Sequence, residues 1–333
     1  MIQQPYPWQV EQWQSLQQRL KGGRLPHALL LHGAAGMGKQ QFAIALANSL
    51  LCEQRQPNGE ACGECRGCKL FAAGNHPDYS LLMPEEPGKA ITIDKVRSLA
   101  AKLANASQYS GYKVVLIMPA EQMNVASANS LLKTLEEPTP NTILILSCSH
   151  IDRLLPTIRS RCQSVLFAAT PHDKQVVAWL SQQDGVERAT VTQLLALADN
   201  APLRAKQLAT SEILAQRADT LAMLQAMACG EVTPVQVAEQ GQKLGSVELL
   251  DWLSGWSMDM IRLKFNDQPS HTSSPDVLDS LRPLAQQIDL QKLYGYFDKL
   301  IESSRLARTQ VNQQLLLEDV LIGWVRLFAK RRR

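Results

Sequence analysis

Gly33-Ala34-Ala35-Gly36-Met37-Gly38-Lys39 sits between the apolar run His27–His32 and the segment Lys39–Leu51, which carries Phe42, Ile44, Leu46 and Leu50. The run has the length of a buried strand, and the segment after it predicts a helix. A G-x4-G-K stretch that leaves a strand and opens a helix reads as a phosphate loop. Its glycines let backbone N–H groups turn inward onto phosphate oxygens, the helix amino end adds positive potential, and Lys39 reaches the terminal phosphates. The next residue of the pattern is Ser or Thr, whose hydroxyl binds Mg2+. Here it is Gln40, whose longer amide cannot stand in for that hydroxyl.

Outward from the loop, helix-like and strand-like segments alternate. Gln9–Leu20 reads as an amphipathic helix, Tyr79–Met83 as a strand, Ile93–Ala104 as a helix and Lys113–Met118 as a strand. Ala126–Leu135 follows as a helix, then Thr142–Ser147 and the shorter Val165–Phe167 as strands. That order predicts an α/β domain with a parallel sheet covered on both faces. In phosphate-loop ATPases a strand such as Lys113-Val114-Val115-Leu116-Ile117 ends in acidic residues that hold the metal and orient water. Here it ends in Met118-Pro119, and Glu121 comes about two positions too late to substitute without a bulge. Both magnesium-handling elements have lost their chemistry. The expectation is a loop without turnover, with nucleotide binding through Lys39 left open.

After Ala169-Thr170-Pro171 the pattern changes. Leucine and alanine recur at helical spacing, as in Ala189–Leu197 and Ile213–Met227, and no further strand is expected. Gln268–Pro275 reads as a loop between helices. With 333 residues, 45% of them apolar and 20% charged, the chain is neither disordered throughout nor fibrous, and two or three domains are expected. A formal charge of +3 is too small for a generic nucleic-acid binder. Residues from Ser211 onward carry a net −1, and would stand at −5 without Lys330-Arg331-Arg332-Arg333. This basic tail reads either as a contact for DNA or an acidic partner, or as a solvated terminus. The amino terminus shows no basic start followed by an apolar core, and no apolar run approaches the length of a membrane span. A cytoplasmic protein with no membrane partner is expected.

Four of the seven cysteines cluster as Cys52-x9-Cys62-x2-Cys65-x2-Cys68, which favours metal over disulfides. Four thiolates match the tetrahedral preference of structural Zn2+, and filling all four positions leaves none for a catalytic water. An iron–sulfur cluster accepts the same donors. His76 in Asn75-His76-Pro77-Asp78 reads as a residue that caps or packs in the following turn. The six tryptophans read as core or interface residues. Trp252 and Trp256 share one helix face, turned inward or toward a neighbouring chain.

The segment Asn129-Ser130-Leu131-Leu132-Lys133-Thr134-Leu135-Glu136-Glu137-Pro138, followed by Ser160-Arg161-Cys162, resembles the clamp-loader branch of the AAA+ ATPases. The phosphate loop and the four cysteines support the same resemblance, and with it the cysteine site is expected to hold zinc. Specific motifs cover residues 1 to about 210. The resemblance implies a RecA-like AAA+ parallel-sheet domain over 1–169 with a zinc module at 52–68, a small helical lid over 170–210 and an all-α collar over 211–333. It implies a ring of five subunits, with gamma/tau and delta subunits as partners, that opens a sliding clamp and places it on primed DNA. The broken magnesium positions narrow the expectation to a subunit that does not hydrolyse ATP; the alternative is an active ATPase of gamma/tau type with unusual metal ligands.

The resemblance also assigns residue roles. Arg161 is expected to project into a neighbour's ATP site, where a permanently charged, planar guanidinium neutralises charge building on the γ-phosphate. Arg159 is the alternative. Gly33, Gly36, Gly38 and Lys39 are the nucleotide-binding positions. Arg204, in Pro202-Leu203-Arg204, stands where an arginine of the lid touches nucleotide in cis or serves domain packing. Ser149 falls near a sensor position.

Overall fold

A computed structural model describes the protein at every residue except 1–3, 87, 106, 110, 170–172, 187–189, 210, 211, 270, 271, 308, 310 and 329–333. The basic tail Lys330–Arg333 and the expected boundaries near 170 and 210 lie outside the described residues, as do two positions of the loop at 268–275. The chain forms two compact units, Met1–Gln182 with Ala201–Arg204, and Gln183–Asn200 with Ala205–Arg333. The segment 170–210 contributes to both.

In the first unit, the elements are α1 (Val10–Lys21), β1 (Ala28–His32), α2 (Lys39–Leu51), α3 (Arg66–Ala72), β2 (Tyr79–Leu82), α4 (Ile93–Leu103), β3 (Lys113–Ile117), α5 (Val125–Glu136), β4 (Thr142–Cys148), α6 (Pro156–Arg159), β5 (Gln163–Leu166) and α7 (Lys174–Leu180). The five strands make one parallel sheet in the order β2-β3-β4-β1-β5. β3 and β4 are buried along their whole length, as expected of Val/Ile/Leu runs in a sheet covered on both faces. Register places Leu30 beside Leu146 and Val115 beside Leu144. These side chains share one core with Leu99 and Leu103 of α4 and Leu131 and Leu135 of α5. On the opposite face α2 packs across the central strands, and Phe42 meets Phe167 and Trp13 edge-on. Because every strand runs the same way, all carboxyl ends lie at one rim. The glycine loop leaves β1 there, where open α/β sheets hold their ligands.

Two elements of this unit were not expected. α3 lies inside the cysteine segment, started by Cys65, whose Sγ accepts from the Cys68 amide. α6 is a single turn begun by Pro156, where a plain loop was read.

Past α7 come α8 (Val191–Leu197), α9 (Pro202–Ala209), α10 (Ile213–Cys229), α11 (Pro234–Leu244), α12 (Ser246–Phe265), α13 (Leu278–Gln287), α14 (Leu290–Leu306) and α15 (Gln313–Phe328). Among the described residues no strand follows β5. In the second unit Trp256 and Trp324 are fully buried, and Trp252 joins them in the same core. The shared face of Trp252 and Trp256 is therefore turned inward. Arg217 lies over both rings, 5.3 and 5.4 Å from their centres, and pairs with Asp276 at 2.9 Å.

Candidate functional site

Gly33, Gly36 and Gly38 all have positive φ, and Gly38 opens α2 in the left-handed conformation. The lysine that follows is 5% exposed and already satisfied by its own chain. Lys39 Nζ donates to the Gly33 and Ala34 carbonyls, both at 2.8 Å, and to Ser149 Oγ at 3.1 Å. Burial lowers its pKa, against the opposing pull of Glu121 and Cys148.

Other loop carbonyls are engaged too. Leu203 N donates to Gly36 O at 3.1 Å, while Trp8 Nε1 and Gln9 Nε2 donate to Met37 O at 3.1 and 2.9 Å. The Tyr6 ring and the Gln9 amide sit directly against Gly38. Tyr6 stacks on Trp8 at 4.6 Å, and both meet Trp179 edge-on. This aromatic clamp was missed at the sequence level, because residues some 170 positions apart form it; the one local hint is the rigid, aromatic run Pro5-Tyr6-Pro7-Trp8.

A cavity of about 500 Å³ opens at the loop, lined among others by Gly38, Lys39, Gln40, Met118, Pro119 and Ser149. No carboxylate belongs to its described lining. Glu121 is turned elsewhere: its Oε1 accepts from the Ser149 and His150 amides at 2.9 and 3.3 Å, bracing the loop after β4. Burial, with Glu121 next in weight, pushes the neighbouring Cys148 thiol up to about 12. Arg204 is exposed, and its backbone and Cβ lie against Gly36.

The two candidate finger arginines face different partners. The charge of Arg159 acts on His32, at the foot of the chain's own phosphate loop, adding to burial in lowering that imidazole's pKa. Arg161 follows α6 and is exposed. Its Nε donates to Glu136 Oε1 at 2.8 Å, Nη2 reaches the same oxygen, and Nη1 donates to Thr157 O at 3.0 Å. Glu136 is the last residue of α5 and lies within the Asn129–Pro138 motif that carried the resemblance. No local pattern in the sequence links these two side chains, which lie 25 positions apart.

The four cysteines converge as their spacing implied. Their Sγ atoms lie within 4.8 Å of one another, with close pairs at 3.6, 3.9 and 4.0 Å. A tetrahedral site with metal–sulfur bonds of about 2.3 Å separates its sulfurs by about 3.8 Å, so the set fits one ion. Each sulfur also accepts at least one backbone amide: Cys52 from Cys62, Cys62 from Cys65, Cys65 from Cys68 and Cys68 from Gly63, all at 3.3–3.4 Å. Such bonds favour thiolate, and the Cys65 amide leads in bringing the Cys62 thiol down to about 7. Burial pushes Cys52 and Cys68 the other way, and a bound dication would supply the countercharge that they lack. His76 is not part of the cluster; it is buried, and its Nδ1 accepts from the Asp78 amide.

A family model described as "DNA polymerase III, delta subunit" matches residues 8–171, and one described as "DNA polymerase III, delta subunit, C terminal" matches residues 211–326. The protein "DNA polymerase III subunit delta'" of Pseudomonas aeruginosa is 36% identical over 327 residues, 97% of this chain and 98% of that one. The chain belongs to the delta-prime family of DNA polymerase III. The delta-prime protein of Escherichia coli is 32% identical over 321 residues, 95% of this chain and 94% of its own. A gamma/tau subunit from Mycobacterium bovis reaches 33% identity over only 169 residues, 50% of this chain and 29% of that protein. The delta-prime likeness thus runs through both units. It bears out the clamp-loader AAA+ resemblance and carries it into the carboxy-terminal half, where helical character alone had been legible.

Proposed function

We propose that this chain is the delta-prime subunit of a clamp loader, that it does not hydrolyse ATP, and that it lends Arg161 to a neighbour's ATP site. The state of its own phosphate loop carries the reading. Gln40 and Met118-Pro119 stand at the magnesium-handling positions, and Lys39 is bonded to its own loop. A metal-bound triphosphate needs a hydroxyl and a carboxylate on the cation, and neither Gln40 nor Met118-Pro119 supplies one at the position the loop and strand assign to it. Arg161, by contrast, stands exposed behind a proline-started turn, on a surface where a second subunit can reach it.

In this reading gamma/tau and delta subunits complete a pentameric ring, which opens the sliding clamp on primed DNA in the cytoplasm. Residues 1–169 are the nucleotide-binding domain, 170–210 a lid and 211–333 the collar that assembles the ring. The cysteine module holds a structural Zn2+, whose four protein ligands leave no open position for chemistry. No helix among the described residues is long and apolar enough to cross a membrane.

The test is a loader reconstituted with gamma/tau and delta subunits. Arg161→Ala leaves assembly intact on gel filtration, and slows single-turnover hydrolysis at the site it serves by roughly 1,000-fold or more. An unchanged rate refutes the finger. The isolated chain shows no turnover; activity abolished by Lys39→Ala would favour an active ATPase of gamma/tau type instead.

A further inference from the structure

We infer that Glu136 is a positioning residue for Arg161, holding the guanidinium in the orientation in which it meets the neighbour's nucleotide. The inference rests on the finger reading above and adds a residue to it. Glu136 ends α5, and the helix cap after it is Glu137. Two acids at a helix carboxyl end oppose the helix dipole, which favours cations there. Lys133 in the last turn offsets part of this, and Arg161 supplies a further positive charge from 25 positions away in sequence. An unfavourable local choice with so specific a partner suggests that the pair serves more than the helix.

The geometry shows what it serves. The carboxylate takes the Nε side of the guanidinium, with Nε at 2.8 Å and Nη2 on the same oxygen, while Thr157 O takes Nη1 at 3.0 Å. Nη2 keeps its second N–H, and beyond Thr157 Nη1 makes only a long contact to Ser160 Oγ at 3.4 Å. The outer edge formed by the two terminal nitrogens is thus presented to an incoming anion. An arginine otherwise samples many rotamers, and ordering it at the moment of reaction slows the reaction; Glu136 orders it beforehand.

The reconstituted loader separates this role from a structural one. The quantity to read is the Arg161-dependent part of ATP hydrolysis, the part lost in Arg161→Ala. Immobilising one rotamer-rich side chain is worth about 2- to 10-fold, so Glu136→Ala is expected to lower that kcat by this factor at unchanged KM. Glu136→Gln keeps an acceptor for Nε and retains more of the rate than Glu136→Ala. In the double variant, Glu136→Ala adds no further loss to Arg161→Ala. Losses that multiply, a change confined to KM, or a full rate in Glu136→Ala beside a slow Arg161→Ala each overturn the positioning role while leaving the finger standing. An unchanged rate in Arg161→Ala overturns both.

Discussion

At Gly33 the chain leaves β1 with φ +145°, and the residue just past the end of β5 lies so close that a methyl group there would be driven into the Phe167 carbonyl. The Phe167 amide donates to His32 O at 2.8 Å, which pins that approach. Backbone strain of this kind costs about 1–3 kcal/mol, before any steric displacement is added. Gly33→Ala is therefore expected to lower the melting temperature by several degrees in thermal unfolding followed by circular dichroism. Gly295 is the opposite case, a glycine inside α14 with nothing near its missing Cβ. Gly295→Ala should stabilise by about 0.5–1 kcal/mol, since alanine restores helix propensity and meets no neighbour. An undiminished melting temperature in Gly33→Ala would mean that the close approach to Phe167 is not what constrains this position. The glycines of the loop were legible because their spacing is local. The Glu136–Arg161 pair and the Tyr6–Trp8–Trp179 clamp were not, because no periodicity links residues that only the folded sheet brings together.

Strands β1, β3 and β4 could be read from sequence nearly to the residue, since buried parallel strands are short continuous apolar runs and nothing else in the first 170 residues looks like them. Of the two elements that escaped, α3 and α6, the longer is α3, seven residues that include Gly67 and are too few to show a helical period. Its place is fixed by sulfur. Cys65 caps it, Cys68 lies within it, and Gly67 N donates to Glu53 Oε1 just past the end of α2. A metal ion bound by the four cysteines would therefore tie α3 to α2. The purified protein is expected to carry about one zinc per chain and to lack the visible absorption of an iron–sulfur cluster. Cys62→Ser should remove most of that zinc and lower the melting temperature, as should a strong chelator acting on the native chain. Full zinc content in Cys62→Ser would show that the four-sulfur site is not the one occupied.

For the molecule as a whole, the change of pattern after Ala169 announces a helical second half, while the compact units divide at Gln182 and exchange Ala201–Arg204. What the pattern did not show is how the helical unit is held together. Its core gathers residues from α10 to α15, and Trp324 lies at its centre with no exposed surface. The indole N–H donates to Leu224 O at 3.0 Å, joining α15 to α10 across 100 residues, and the ring packs against Tyr296 and Phe328. Trp324→Ala loses this packing and this hydrogen bond and leaves a cavity. Removing a buried tryptophan costs about 3–5 kcal/mol, against a typical domain stability of about 5–15 kcal/mol. Each unit has its own core, so the loss should stay within the second. Limited proteolysis of the variant is expected to cut within residues 213–328 while residues 4–182 resist as they do in the unaltered chain. Simultaneous loss of protection in both would mean that the cores melt as one cooperative body, and that the second unit's tryptophan stabilises the phosphate loop as well.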